Sequence, residues 1–318
     1  MKDETVAVVG GGPAGLMAAE YIARGGVRVD LFDAMPSVGR KFLLAGKGGL
    51  NLTHAEPYAR FVTRYGERRE RIEPLLQAFG PEAVRAWAQS LGIETFVGSS
   101  GRVFPSDMKA APLLRAWLHR LRGAGVRFHM RHRWVGWGGD PHHDRTLRFA
   151  TPAGELTHAC DAVVLALGGA SWPRLGSDGA WVPHLAAAGA ELAPLQPSNC
   201  GFDIAGGWSD HFRSRHAGAP LKNVALAVSG GDGGTPLTQA GEFVVTETGV
   251  EGNLVYALSG AIRDRIAQAG AVTAQLDLLP AFDAVRVAAE VARPRGSRSL
   301  ATHLKSRLGL GGVKAALL

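Results

Sequence analysis

A short apolar run, Thr5-Val-Ala-Val-Val9, runs straight into a cluster of glycines and then into a segment with helical periodicity, and few folds accommodate that succession. Gly10, Gly12 and Gly15 match G-x-G-x-x-G: the first permits a tight turn, the second lets backbone approach a pyrophosphate, and the third lets helix and strand pack closely. Pro13 and Ala14 open the helix, which aims free N–H groups at that pyrophosphate. With 43 glycines in 318 residues, roughly one bare match arises by chance, so the flanking sequence must carry the assignment. It does so on both sides. Leu16, Ala19, Ile22 and Ala23 recur at helical spacing, and Val27-Arg-Val-Asp-Leu-Phe-Asp33 alternates as a strand. Asp33 ends that strand about twenty residues past the last glycine, where a carboxylate accepts hydrogen bonds from a ribose diol and repels a 2′-phosphate. The expected element is a βαβ dinucleotide cradle.

Composition narrows the class. A chain of 318 residues, 46% hydrophobic and 20% charged, is long enough for two domains and ordinary for a soluble globular protein. Cys160 and Cys200 lack C-x-x-C spacing, which argues against a disulfide framework or zinc site and for two buried small hydrophobes. Lys2 before an apolar run imitates a signal peptide, but Asp3, Glu4 and the glycine turn break that pattern, and no apolar run spans a bilayer. A cytoplasmic enzyme is the expectation. The net charge of +7, with Arg115, Arg120, Arg122, Arg127, Arg131 and Arg133 among Trp117, Phe128 and Trp134, makes nucleic-acid binding the second reading. The first reading of those arginines is a solvated helix face plus the rim of an anionic-cofactor site.

After Asp33 comes a long connection, residues 34–54, with three basic residues and no acid. A loop of that length is usually functional or disordered. Gly46, Gly48 and Gly49 allow backbone to press against a flat ligand, while Arg40 and Lys41 answer phosphate charge. In Gly39-Arg40-Lys41 and the stretch from Gly46 through Asn51 to Thr53, the chain resembles the BaiN/YhiN-like FAD-dependent flavoproteins. The similarity is nearest to a variant branch carrying Val-Gly-Arg-Lys-Phe-Leu, Gly-Ser-Ser-Gly-Arg-Val-Phe-Pro and Leu-Gly-Gly-Ala-Ser-Trp-Pro, found here at 38–43, 98–105 and 167–173. The resemblance implies FAD in the first cradle, with residues 39–53 lying along it toward the isoalloxazine. It also implies an adenine contact through the strand backbone near Trp134, and a second glycine corner, Leu167-Gly168-Gly169, packed beside the cofactor. Backbone N–H groups or Lys47 are expected to polarise the N1/C2=O edge of the ring, Lys47 from its position and charge, so Lys47→Met should lower the flavin potential. Where the commoner branch carries Arg-Cys, this chain has Gly49-Leu50, and its 246–247 and 251–253 segments also depart from that branch.

Further along, residues 69–91 read as two amphipathic helices broken at Gly80-Pro81, with Ile72, Leu75, Leu76 and Phe79 on one core-facing stripe and Val84, Trp87 and Leu91 on the next. A hairpin around 98–101, a helix over 112–121 and a strand over 126–137 follow. Asp140-Pro-His-His-Asp144 reads as a solvated hairpin tip rather than a metal site. The apolar run 161–167, ending in glycines, is the pattern of a buried parallel strand feeding a ligand-side loop, with 176–179 opening a helix. Ser209-Asp210-His211 holds triad letters on adjacent residues that point apart, which reads as a loop.

The expected fold is α/β: a Rossmann-like FAD-binding domain of the two-dinucleotide type over 1–196, and an inserted β-rich α+β substrate-side domain over 197–318. That second domain has strands at 224–228 and 242–246, a glycine-rich turn at 230–234 and a helix at 254–268. Only helices are expected after Asp277, and the resemblance implies a further C-terminal segment that returns to the cofactor, without which FAD would be held poorly. The expected function is FAD-dependent hydride transfer on a small-molecule substrate with NAD(P)H as candidate electron donor and no metal. The alternatives are an RNA-associated or non-catalytic FAD-binding protein.

Overall fold

The structure is a computed structural model that describes residues 4–229 and 235–318, leaving the turn expected at 230–234 and the Lys47 side chain outside the described residues. Two compact units divide the chain, residues 1–195 and 196–318.

The first unit begins with β1 (Thr5–Val9), α1 (Pro13–Arg24) and β2 (Arg28–Asp33). Next come α2 (Arg40–Ala45), a single tight turn at Gly46–Gly48, β3 (Thr53–His54), α3 (Tyr58–Phe61), α4 (Arg69–Ala78) and α5 (Pro81–Ser90). The hairpin β4 (Thr95–Val97) and β5 (Arg102–Pro105) leads to α6 (Ala110–Gly123) and β6 (Arg127–Met130). A meander of β7 (Arg133–Trp137), β8 (Thr146–Thr151) and β9 (Gly154–Ala159) precedes β10 (Ala162–Leu165) and α7 (Val182–Ala187). The principal sheet is parallel with order β10-β1-β2-β6, and Val8 stands level with both Leu31 and Val164.

Period-2 alternation sorts β1 between two cores. Val8, with Val29 and Leu31, packs under α1 and α6 against Leu16, Leu113, Trp117 and Leu121. Ala7 and Val9, with Phe32, face the meander residues Trp134, Leu147 and Phe149. Both faces are covered, which is why this strand reads as an unbroken apolar run.

The helical layer is fastened by a charge. Glu20, buried on α1, accepts from the indole N–H groups of Trp87 on α5 (3.1 Å) and Trp117 on α6 (2.7 Å), and from Arg120 (3.0 Å) and Arg24. Burial pushes this carboxyl up, but the four donors outweigh burial and hold it below its ordinary value. Asp30 on β2 is fully buried and meets Arg127 and His129 (2.7 Å) from the neighbouring β6.

Several sequence expectations change here. The strand expected over 126–137 is two strands in two sheets, because the chain turns at Arg131 (φ 60°), held by its N–H on Met35 O and by His132 N–H on Asp33 O. The run at 161–167 is parallel as expected but only half-buried, because β10 lies at the edge of its sheet. Leu75 on α4 and Phe79 just after it are 64% and 41% exposed instead of lying in the core, whereas Trp87 and Leu91 do pack on it. Both cysteines are free and only partly buried, and Cys160 donates to Arg145 O.

The second unit contains β11 (Phe202–Asp203), α8 (Asp210–His216), β12 (Pro220–Val228), β13 (Leu237–Val245), β14 (Gly249–Glu251), α9 (Asn253–Ala269) and β15 (Ala274–Asp277). Helices α10 (Ala284–Ala292), α11 (Leu300–Leu308) and α12 (Val313–Ala316) complete it. Its sheet is antiparallel, ordered β11-β14-β13-β12-β15. Leu254, Val255, Leu258 and Ile262 of α9 pack on Leu221, Val224, Phe243 and Val245. Ser209 begins a helix rather than a loop: its hydroxyl caps α8 by accepting from Phe212 N–H at 3.2 Å.

Candidate dinucleotide site

The glycine turn after β1 is fixed by what surrounds it. Gly10 has φ +112°, its N–H donates to Phe32 O at 2.8 Å, and a Cβ there would strike the Ala166 carbonyl. A Cβ on Gly15 would strike the Gly10 carbonyl, so this glycine serves the close approach of α1 to β1 and does not line the cavity. Gly12 differs: nothing lies within 4 Å of its Cβ position, and it borders a cavity of about 740 Å³ in the first unit. Gly12 is also the N-cap of α1, and no side chain caps that helix. Its first N–H groups are therefore left for a ligand.

Asp33 sits beside this turn. One carboxylate oxygen accepts from Gly11 N–H and the other from Met35 N–H, both at 2.7 Å, so the residue locks the glycine loop to the turn after β2. Burial pushes its carboxyl above the usual value, against the pull of those two backbone donors and of Arg40 and Arg133. Each oxygen keeps a lone pair for a ribose hydroxyl. Asp33→Ala should weaken nucleotide binding by at least about tenfold, because it removes the ribose acceptor and frees the glycine loop. Titration with ADP followed by calorimetry measures this, and unchanged affinity would remove Asp33 from the site.

The cavity wall continues through Gly39, Arg40, Lys41, Phe42 and Leu50-Asn51-Leu52, then through residues 165–168, Leu175, Gly176, Ser177, Trp181 and Leu185. Lys41 Nζ donates to Ser171 Oγ at 2.5 Å, tying the connection after β2 to the second glycine corner. Arg133 pairs with Asp178 at 2.8 Å and ties β7 to the same corner.

Of the residues singled out by sequence, Gly10, Gly12, Pro13, Ala14, Asp33, Gly39, Arg40, Lys41, Asn51, Leu167 and Gly168 line this cavity. Gly46, Gly48, Thr53, Trp134 and Gly169 do not. Gly46 instead lets its turn lie against α6, where a Cβ would crowd Ala110, and Thr53 pairs with Val103 in the small sheet. The wall expected from these glycines is formed by Leu50 to Leu52. Trp134 is in the core under the meander and borders a smaller recess beyond Asp33.

Sequence reasoning missed Ser177 and Trp181, although both lie in the second glycine corner. Ser177 Oγ, Trp181 Nε1 and Arg40 Nε are buried with no hydrogen-bond partner among the described residues, and all three residues line the cavity. Buried donors without acceptors are costly, so three around one cavity fit an acceptor-rich ligand. FAD, with its pyrophosphate, hydroxyls and ring acceptors, meets that requirement.

Four of the six arginines of the basic cluster are engaged internally: Arg120 on Glu20 and Ser90, Arg127 on Asp30, Arg133 on Asp178, and Arg122 over the Phe128 ring. Residues 140–144 form a hairpin turn in which Asp140 accepts from His142 N–H, and no metal-holding group of three or more His, Cys, Asp or Glu occurs among the described residues. Among those residues no helix is long and apolar enough to cross a membrane.

A parallel sheet, a glycine turn entering a helix, an acidic residue closing the second strand and a donor-rich cavity between them define a Rossmann-type dinucleotide-binding unit. The model of the family described as "HI0933-like protein Rossmann domain" matches residues 4–317, and the chain belongs to that family. It is similar to the 3-dehydro-bile acid delta(4,6)-reductase of Clostridium scindens, at 26% identity over 284 residues, covering 89% of this chain and 66% of that protein. It is also similar to the thiamine thiazole synthase of Methanosarcina mazei, at 35% identity over 98 residues, covering 30% of this chain and 38% of that one. The chain therefore spans less than two thirds of the length of these curated relatives. Among solved structures, a 3-ketosteroid-delta4-(5alpha)-dehydrogenase from Rhodococcus jostii RHA1 aligns with a TM-score of 0.46 at 16% identity, over 59% of this chain and 55% of that one.

Proposed function

We propose that this chain binds FAD in the cavity of its first unit and serves a cytoplasmic FAD-dependent oxidoreductase acting on a small organic molecule, with NAD(P)H as electron donor. The observation that carries the reading is the pairing of an open Gly12 position with three unspent donors, Arg40 Nε, Ser177 Oγ and Trp181 Nε1, around one cavity. The flavin, when bound, supplies the hydride chemistry. The chain's own residues bind and orient: the N-terminus of α1 takes the pyrophosphate, Asp33 the ribose, and Arg40 adds a cation beside the phosphates. Leu50, Leu52, Leu165 and Leu175 make the remaining wall apolar, which excludes water from the cofactor's length. The bile-acid reductase relative supports a hydrophobic substrate class. The second unit, in this reading, is an insertion on the substrate side.

The test is direct. Purified chain incubated with FAD should show saturable binding, a perturbed flavin spectrum and displacement by ADP. Protein that stays colourless at high FAD and binds no ADP would overturn the assignment. RNA titrated at low salt should not compete with FAD, since four of the six arginines that suggested it have partners within the fold.

A further inference from the structure

The segment between Gly168 and Gly179 follows β10, and its contacts on the far side belong to elements beyond β1: the turn after β2, α2 and β7. Since β1 lies between β10 and β2 in the sheet, a segment joining these points passes over the glycine turn at the carboxyl end of β1. Leu175, Gly176 and Ser177 accordingly line the cavity from this side. The grip on the far wall is made by side chains. Lys41 Nζ donates to Ser171 Oγ at 2.5 Å, and Arg133 pairs with Asp178 at 2.8 Å. A Cβ on Gly176 would fall 2.8 Å from Met35 Cγ, so the tip of the segment also touches the turn after β2. Among the described residues no backbone hydrogen bond joins the segment to that wall.

Internally the segment holds itself together. Trp172 and Ser177 exchange backbone hydrogen bonds, 3.1 Å each way, and a Cβ on Gly179 would meet that of Ala170 at 3.0 Å, so its two ends lie side by side. A loop with adjoining ends and its own internal bonds can turn as one body. Gly168 and Gly179 bracket it at φ 71° and 70°, where glycine changes conformation at little steric cost. We propose that residues 169–178 are a strap that swings about these two glycines to admit and release the dinucleotide, latched shut by Lys41 on Ser171 and by Arg133 on Asp178. This rests on the dinucleotide reading given above. Both latches suit reversible closure: Lys41 and Ser171 are exposed, Arg133 and Asp178 are 44% and 27% exposed, and polar pairs in contact with water are each worth only a few-fold in an equilibrium.

The experiment opens the latches in the whole chain and times FAD exchange by stopped-flow flavin fluorescence. Ser171→Ala removes one acceptor, and Asp178→Asn drops the charge facing Arg133 while keeping an acceptor for Ala180 N–H. Combined, they should speed FAD association and dissociation alike by about five- to tenfold and leave affinity within about twofold, because opening precedes entry and exit equally. Unchanged rates, or faster dissociation alone with affinity lost in proportion, would overturn the strap and leave the dinucleotide reading standing. A second measurement needs no ligand. Leu175 is half-buried on the cavity side, so in Leu175→Cys chain the new thiol should react with iodoacetamide about five- to tenfold faster when both latch substitutions are present, with Cys160 and Cys200 unchanged as references. Equal labelling rates would overturn the strap whether or not FAD binds. Absence of FAD binding to the unsubstituted chain would overturn the dinucleotide reading and the strap's role together.

Discussion

Gly12→Val should yield a folded chain that has lost FAD affinity by at least about a hundredfold. The glycine lies at φ −79° and ψ −179°, an extended conformation that β-branched residues adopt readily, and its Cβ position is open. The protein itself therefore gives no reason for glycine there. The branched side chain would occupy the approach of the pyrophosphate to the helix N-terminus, where two or more charge-assisted hydrogen bonds of about 1.5–3 kcal/mol each are at stake. Losing two of them amounts to a factor of a hundred or more. Gly15→Val is the contrasting variant: its Cβ would meet the Gly10 carbonyl, so it should unfold the first unit instead of merely emptying it. Thermal unfolding and FAD titration separate the two. A Gly12→Val chain that retains FAD would remove the turn from the site.

The second large effect is on stability. Glu20→Ala should cost about 3–5 kcal/mol, because truncation leaves the Arg120 guanidinium and the indole N–H groups of Trp87 and Trp117 facing a void in the helical layer. Urea unfolding followed by tryptophan fluorescence reads this directly, and a loss under about 1 kcal/mol would show the cluster to be solvated. The pH dependence has a defined sign. Glu20 is held below its unfolded value, so its contribution is complete above about pH 4.3, the ordinary glutamate value, and is lost as pH falls through the folded one. Asp30 is depressed in the same direction: burial pushes it up, and its bonds to Arg127 and His129 more than offset that. Wild-type stability should therefore fall as the pH drops below about 4.3, and Glu20→Gln should flatten part of that fall.

How much of this was legible in the sequence depends on whether the determining contacts are local. The β1-α1-β2 cradle was legible because each part is written in a few consecutive residues: a β-branched run, spaced glycines, a helical stripe and a terminal acid. Asp33, Arg40 and Lys41 follow from that frame. Glu20 was not legible, since it stands next to Ala19 on an ordinary-looking helix and its partners are contributed by α5 and α6. The turn that splits the 126–137 segment was hidden because a positive φ falls on Arg131, with no glycine to mark it. Gly46 misled in the opposite way, its small size serving contact with Ala110 rather than with a ligand. Ser177 and Trp181 become candidate site residues only once their polar atoms are seen to lack partners.

The strand order β10-β1-β2-β6 also sets a timetable for synthesis. During translation β1 and β2 emerge together and β6 follows, but the strand that pairs with the other side of β1 is encoded at residues 162–165. At roughly 5–20 residues per second, about 7 to 26 s separate the appearance of Asp33 from that of Leu165. Throughout that interval one edge of the apolar strand β1 has no partner, and an unpaired apolar edge invites pairing with another nascent chain. Yield of soluble protein should thus respond to the speed of elongation between codons 33 and 165 more than to any change downstream of them.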